Sequence, residues 1–279
     1  MATADLYIVA AGNGSRMNAK LPKALVPITD EPCLTSNLQQ IGEKFRRVFI
    51  VTNVRASEAW QEYFAALDAN YPELANRIVN LPIESGLGDG HATLHGLRAA
   101  EAAEGGALAE DIIVAWGDVF FKHAETIDEL LMACLAGSGL LPAVHEDNPY
   151  VALLVNEHMQ CVSADFAKYG ESHNAGLHDQ SVFRFRRHRL MTSLGEIHNA
   201  LWKGRRYITP GGELSLLYSF HQLFNSGNPA YVYETRYPTL SFNTVDEVAS
   251  IQREISTQWK NRSHARSSET RTTSRLSVT

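Results

Sequence analysis

The residues best suited to chemistry lie early in the chain. They are the run Val9-Ala10-Ala11-Gly12-Asn13-Gly14-Ser15-Arg16-Met17, followed by Lys20 and Lys23. Two glycines just after an apolar stretch let backbone N–H groups approach an anion closely, because no Cβ intervenes and a positive φ costs little. Ser15, Arg16, Lys20 and Lys23 add a hydroxyl and cationic donors to the same loop, the donor set a polyphosphate requires. Two familiar glycine loops do not fit. A dinucleotide fingerprint would place a third small residue where Met17 stands, and a P-loop would need Gly-Lys-Ser/Thr opening a helix.

The pattern Ala-Ala-Gly-x-Gly-Ser-Arg-Met, four residues, then Pro22-Lys23-x-Leu25 resembles the signature of the nucleotidyltransferases that make nucleotide sugars and related activated alcohols. These belong to the sugar-1-phosphate and MobA-like NTP transferase superfamily. The Arg16-to-Lys23 spacing is similar to that of the N-acetylglucosamine-1-phosphate uridyltransferase domain. The resemblance implies that a phosphate oxygen of an acceptor attacks the α-phosphorus of a nucleoside triphosphate and expels pyrophosphate, a reaction carried by positioning and charge neutralisation. It implies Arg16 and Lys23 as catalytic residues, Lys23 facing the α-phosphate and Arg16 the β- and γ-phosphates, within a nucleotide-binding stretch running from Val9 through Ala10, Ala11, Gly12, Asn13, Gly14 and Ser15 to Arg16.

Further motifs extend the resemblance. Gly117-Asp118-x-Phe120 resembles a Gly-Asp motif in which the glycine lies at the nucleotide and Asp118 is a magnesium ligand. Asn243, in Phe-Asn-Thr-x-Asp, resembles the second ligand, with Asp246 in reserve. Two hard oxygen donors that leave phosphate and water to complete the shell suit Mg²⁺. Gly88-Asp89-Gly90-His91-Ala92 resembles a Gly-Thr-Gly-His-Ala segment that sits against the nucleoside. Ile83 stands where a uracil-reading Gln is expected, with Glu84 beside it. A carboxylate at Glu84 accepts from the amino group of cytosine, or from the N–H groups of guanine, and cannot accept from uracil O4. CTP is thus slightly favoured over GTP and UTP. Asp179 and Glu213 resemble acceptor contacts, with a small phosphorylated acceptor such as a sugar 1-phosphate or phospho-alcohol implied. The alternatives are a nucleotide-binding regulator without turnover, and molybdopterin-type nucleotidyl transfer, which uses a similar glycine loop.

Bulk composition sets bounds. The 279 residues carry a net charge of −6 and 44% hydrophobic side chains, which suits a soluble enzyme-sized domain and argues against a nucleic-acid surface. Cys33, Cys134 and Cys161 are few, odd in number and far apart, so neither a disulfide framework nor a cysteine zinc site is expected. His91 and His95 have a zinc-compatible spacing, but without a third ligand or intervening Glu, His91 is expected to cap a helix instead. No apolar stretch reaches membrane-spanning length and no basic leader precedes residue 6, so the cytoplasm is the default compartment. A homo-oligomer is compatible with the sequence.

The elements that must position these residues follow a β-α-β rhythm. Strands are expected at 6–11, 48–52, 78–81, 112–115 and 140–144, and helices from Thr35 or Ser36 to about 44, from Ser57, over 91–103, and from a Thr126–Glu129 capping box. Successive strands at 151–155, 161–166 and 182–185 mark an inserted region, about 145–210, over the acceptor. A helix at 213–225, strands at 231–235 and 240–242, and a helix capped by Thr244 and Glu247 complete the domain. The resemblance implies a Rossmann-like, three-layer α/β/α fold of the GT-A type with a mostly parallel sheet, spanning residues 1–260. Residues 261–279, rich in Ser, Thr and Arg, read as a disordered tail.

Overall fold

The computed structural model describes residues 3–12, 17, 21–84, 87–104 and 107–256. The first half alternates as expected: β1 (Asp5–Val9), α1 (Cys33–Ile41), β2 (Val48–Asn53), α2 (Ser57–Asn70), a short α3 (Pro72–Ala75), β3 (Ile78–Ile83), α4 (Asp89–Glu104) and β4 (Asp111–Trp116). After β5 (Val119–Phe120) and α5 (Glu125–Met132) come five strands, β6 (Gly139–Asp147), β7 (Val151–Val155), β8 (Cys161–Phe166), β9 (Ala175–Asp179) and β10 (Val182–Arg186). The chain ends with α6 (Arg187–Leu201), α7 (Tyr218–Asn225), β11 (Ala230–Glu234), β12 (Leu240–Ser241) and α8 (245–256).

Among the described residues one ten-stranded sheet runs β3-β2-β1-β4-β10-β6-β9-β7-β8, with β11 paired to β6, and β12 and β5 form a separate ribbon. The pairs β3–β2, β2–β1 and β1–β4 are parallel, and β10 inserts antiparallel between β4 and β6. The fold is therefore a mixed, mostly parallel α/β sheet with helices on both faces. The strands β1, β2 and β4 explain why. Tyr7, Val9, Phe49, Val51, Ile112 and Val114 face one core with helices α4, α6 and α7, whereas Leu6, Ile8, Val48, Ile50, Ile113 and Ala115 face another with α1, α2 and α5. Strands buried on both sides read as continuous apolar runs instead of alternating ones, and each buried large side chain contributes roughly 1.5–3 kcal/mol.

Four expectations are corrected. Helix α1 starts at Cys33, behind Pro32, ahead of Thr35 and Ser36. Thr126 does not cap: α5 begins at Glu125, and the buried Thr126 hydroxyl donates to the carbonyl oxygens of His123 and Tyr237 while Glu129 accepts from Thr235. Glu213 does not open a helix, because 213–217 runs as an irregular segment against the start of α4 and α7 begins only at Tyr218. The region read as successive strands ends in α6, a 15-residue helix that packs Leu190 and Leu194 into the core. The tail beyond 256 and the loop residues Asn13, Gly14, Ser15 and Arg16 lie outside the described residues.

Candidate functional site

Three chain segments converge at the carboxyl ends of β1 and β4. After Pro22 a single turn of 3-10 helix spans Lys23–Leu25, closed by bonds from the amides of Leu25 and Val26 to the carbonyls of Pro22 and Lys23. Ala24 and Leu25 are buried, which anchors the turn and leaves Lys23 at its outer edge. Small residues allow the close approach. The Gly117 amide donates to the Val9 carbonyl, and a Cβ on Gly117 would stand 2.9 Å from the Ala10 Cβ and 3.1 Å from the Ala24 Cβ.

Asp118 and Asn243 are brought together by a ribbon whose first strand, β5, begins just after Asp118 and whose second, β12, ends just before Asn243. Strand β5 pairs antiparallel with β12, Val119 opposite Ser241 and Phe120 opposite Leu240, and the Phe242 amide donates to the Asp118 carbonyl. Asn37 on α1 holds the ribbon from behind, donating to the Val119 carbonyl at 2.6 Å and accepting from the Phe121 amide at 2.9 Å. Phe242 is fully buried with Met17, Ile28, Cys33, Phe120, Val248 and Ile251. The capping box expected at α8 is present: the Glu247 carboxylate accepts from the amides of Asn243 and Thr244, and the Thr244 hydroxyl accepts from the Glu247 amide at 3.3 Å. Asp246, by contrast, is an exposed residue of the first turn of α8.

The outcome is a cation held between two oxygens. The Lys23 ammonium lies 2.9 Å from Asp118 Oδ2 and 2.7 Å from Asn243 Oδ1, with the pair only partly screened from solvent. Gly12, just beyond the end of β1, is exposed, and a Cβ there would meet no described atom within 4 Å, unlike one on Gly117.

The second glycine motif has a different local explanation. Gly88 adopts φ +98°, and a Cβ there would stand 2.3 Å from the Leu214 carbonyl oxygen; one on Gly90 would stand 2.6 Å from the Leu216 amide. The amides of Gly90 and Leu214 donate to the carbonyls of Leu214 and Leu87. Asp89 accepts from the Leu216 amide at 2.6 Å and the Ser215 hydroxyl at 3.2 Å. Burial pushes its carboxyl up to about 6 despite those donors. The Gly-Asp-Gly turn thus clamps the 213–216 segment to the start of α4.

Glu84 is exposed at the end of β3, on the rim of a cavity of about 850 Å³ bounded by Leu87, His91, His95, His198, Trp202 and Arg205. A neighbouring cavity of about 590 Å³ is lined by Lys203, Arg205, Arg206, Tyr207 and Glu213. The two acceptor candidates are separated in character. Glu213 is exposed on that basic cavity, whereas Asp179 is buried in the turn between β9 and β10, accepting from the amide and hydroxyl of Ser181, and burial raises its carboxyl above the ordinary value. His91 does not cap α4, which starts two residues earlier; its Nδ1 lies 2.7 Å from the Tyr207 hydroxyl. The cavity wall from α6 and the 202–213 segment was missed by the sequence reading. The signal for it was the three- and four-residue spacing of Leu190, Leu194, Ile197 and Leu201.

Comparison with known proteins agrees with this architecture. The family model described as MobA-like NTP transferase domain matches residues 6–190. The bifunctional protein GlmU of Dinoroseobacter shibae is 33% identical over 138 residues, 49% of this chain and 28% of that protein. GlmU of Burkholderia orbicola is 23% identical over 257 residues, 89% of this chain and 51% of that protein. The chain thus spans about half or less of the length of these relatives. Among solved structures, HddC of Yersinia pseudotuberculosis superposes with TM-score 0.63 at 14% identity, covering 90% of this chain and 99% of that one. The nucleoside-diphosphate-sugar pyrophosphorylase of Vibrio cholerae does so with TM-score 0.66 at 13% identity, covering 89% and 99%. With two thirds of its residues matched by that model, the chain belongs to the family of MobA-like NTP transferase domains.

Proposed function

We propose that the protein is an Mg²⁺-dependent nucleotidyltransferase joining a nucleoside monophosphate, from CTP before GTP or UTP, to a small phosphorylated acceptor with release of pyrophosphate. The observation that carries this reading is the convergence of Asp118 and Asn243 on the Lys23 ammonium. A carboxylate and an amide oxygen already arranged around a positive charge fit a hard divalent ion, and the ammonium stands in for that ion's charge. Asp118 and Asn243 would hold Mg²⁺, and when bound it neutralises charge on the phosphate oxygens. Lys23 exchanges its two oxygen partners for the α-phosphate, and its charge stabilises the transferring group as the leaving pyrophosphate departs. Gly12 and its neighbours offer backbone donors to the same polyanion. Arg16 is proposed as the partner of the β- and γ-phosphates.

Base choice rests on Glu84. Its exposed carboxylate lies at the cavity rim, which supports a role in accepting from an amino-bearing base, and the HddC neighbour is described in complex with GMP-PN, also an amino-bearing nucleotide. The basic cavity of Lys203, Arg205 and Arg206 supports a phosphorylated acceptor, because guanidinium groups pair bidentately with phosphate. The reading is tested by pyrophosphate release from each of the four ribonucleoside triphosphates with Mg²⁺ across sugar 1-phosphates, phospho-alcohols and phosphonates. Release with CTP and one acceptor class supports it. Tight triphosphate binding with no release for any acceptor selects a nucleotide-sensing regulator, and preference for UTP overturns the role of Glu84.

A further inference from the structure

In the wall of the larger cavity, α4 and α6 bring three imidazoles together. His91 and His95 stand one turn apart on α4 and His198 faces them from α6, with one ring nitrogen from each lying within 4.8 Å of the other two. The His91 and His95 rings are 4.1 Å apart between centroids, and Trp202 stacks on His198 at 5.7 Å and 19°. The Tyr207 hydroxyl lies 2.7 Å from Nδ1 of both His91 and His198. His95 Nε2 is buried without a hydrogen-bond partner among the described residues. The third ligand lacking in sequence is His198, supplied by the helix that the sequence reading missed.

We propose that His91, His95 and His198 form a tris-imidazole site for a borderline divalent transition-metal ion of the zinc type, with its fourth position open to the 850 Å³ cavity. Two features support the assignment. A buried imidazole nitrogen without a partner is costly, and a cation removes that cost. Tyr207 can accept the Nδ1–H of both His91 and His198, which fixes the tautomer that leaves each Nε2 as a ligand, a common outer partner of metal-binding histidines.

Geometry requires a small closure. Tetrahedral ligands about 2.0 Å from zinc lie roughly 3.3 Å apart, so nitrogens up to 4.8 Å apart must draw in by rotation of their side chains. Arg98, one turn beyond His95, opposes a cation from the same cavity, but it is exposed and its charge is screened. Three histidines with an open fourth position resemble catalytic zinc sites in ligand count more than closed structural ones. Here the ion would also pin α6 to α4, the helix that begins at the Gly88–Gly90 turn. The Asp118–Asn243 oxygens share none of these ligands.

The test uses untagged, chelator-treated full-length protein in a Cys134→Ser background, since the exposed Cys134 thiol is itself a zinc ligand. Zn²⁺ is titrated by competition with a chromophoric chelator, and Co²⁺ by its visible spectrum. The expected result is one ion per chain with a tetrahedral Co²⁺ spectrum, affinity lowered by more than about 100-fold in His198→Gln and His95→Gln, and by about 10–100-fold in Tyr207→Phe. His198 is only half buried, so His198→Gln keeps the test valid if changes at the more buried His91 impair folding. No stoichiometric uptake, or uptake unchanged in His198→Gln and His95→Gln, overturns the proposal and leaves a hydrogen-bonded imidazole cluster.

Discussion

Lys23 and Asn243 are separated by 220 positions, yet the Lys23 ammonium donates to the Asn243 amide oxygen at 2.7 Å while pairing with Asp118 at 2.9 Å. That contact joins the first turn of the domain to the β5–β12 ribbon. It also holds the lysine in place before any anion arrives. A side chain held in advance loses less entropy when phosphate binds.

Replacing Lys23 by Ala is expected to lower kcat by about 10²–10³, the usual loss when one preorganised donor to developing charge is removed. The fold should survive, because the ion pair is part-exposed and such pairs contribute only about 0–1 kcal/mol. Steady-state kinetics with the acceptor that supports pyrophosphate release, beside a thermal melt, make the check. A raised KM at unchanged kcat would mean that Lys23 merely binds substrate.

Gly90→Ala separates two opposing effects. Gly90 lies in the first turn of α4, where helix propensity alone favours Ala by up to about 1 kcal/mol. The added Cβ would stand 2.6 Å from the backbone of Ser215 and Leu216, and forced overpacking typically costs about 1–3 kcal/mol. The collision involves backbone that cannot swing aside, so the variant should melt lower than the parent. A higher melting point would refute the clamp between α4 and the 213–216 segment.

Asp179 gives a pH dependence with a defined sign. Burial raises its carboxyl above the ordinary 3.8 in the folded state, so between those two values the unfolded chain has already released the proton that the native chain keeps. Stability then falls as pH rises through that window. Asp179→Asn keeps the Oδ1 acceptor used by Ser181 and removes the ionisation. The difference in melting temperature, variant minus parent, should therefore increase from pH 4 upward and stay favourable at neutral pH. A difference that is flat with pH would contradict the buried-carboxyl account, and a selective rise in KM for the acceptor would support Asp179 as an acceptor contact.

How much of this was legible beforehand depended on whether the signal was local. The apolar run read as a strand over 6–11, the helix opening at Ser57 and the Thr244–Glu247 cap are each written within a few residues, and each appears in the structure, the strand as Asp5–Val9. Thr126 and Glu129 carried an equally good capping pattern, but Tyr237 and Thr235, over a hundred residues away, took their side chains. The glycines at 88 and 90 were legible as special but not for their local reason, since Leu214 and Ser215 approach from a distant segment. Helix α6 was hidden by the preceding strands and by Gly195 in its middle. With it went Trp202, Tyr207 and His198, which line the cavity wall. Asp118 and Asn243 were legible as a pair; the β5–β12 ribbon that brings them together was not.

The central claim is that Asp118 and Asn243 hold a divalent ion beside the triphosphate gripped by Lys23. Its most direct test is the Mg²⁺-dependent increment in melting temperature on adding a nucleoside triphosphate, compared between the parent and Asp118→Ala. Because Asp118→Ala also frees Lys23 for phosphate, the increment due to the metal is the quantity to read, not total stabilisation, which follows affinity through mass action. The account predicts a clear rise when Mg²⁺ joins the nucleotide in the parent and its loss in Asp118→Ala. An equal Mg²⁺ increment in both proteins, or none in the parent, would contradict it.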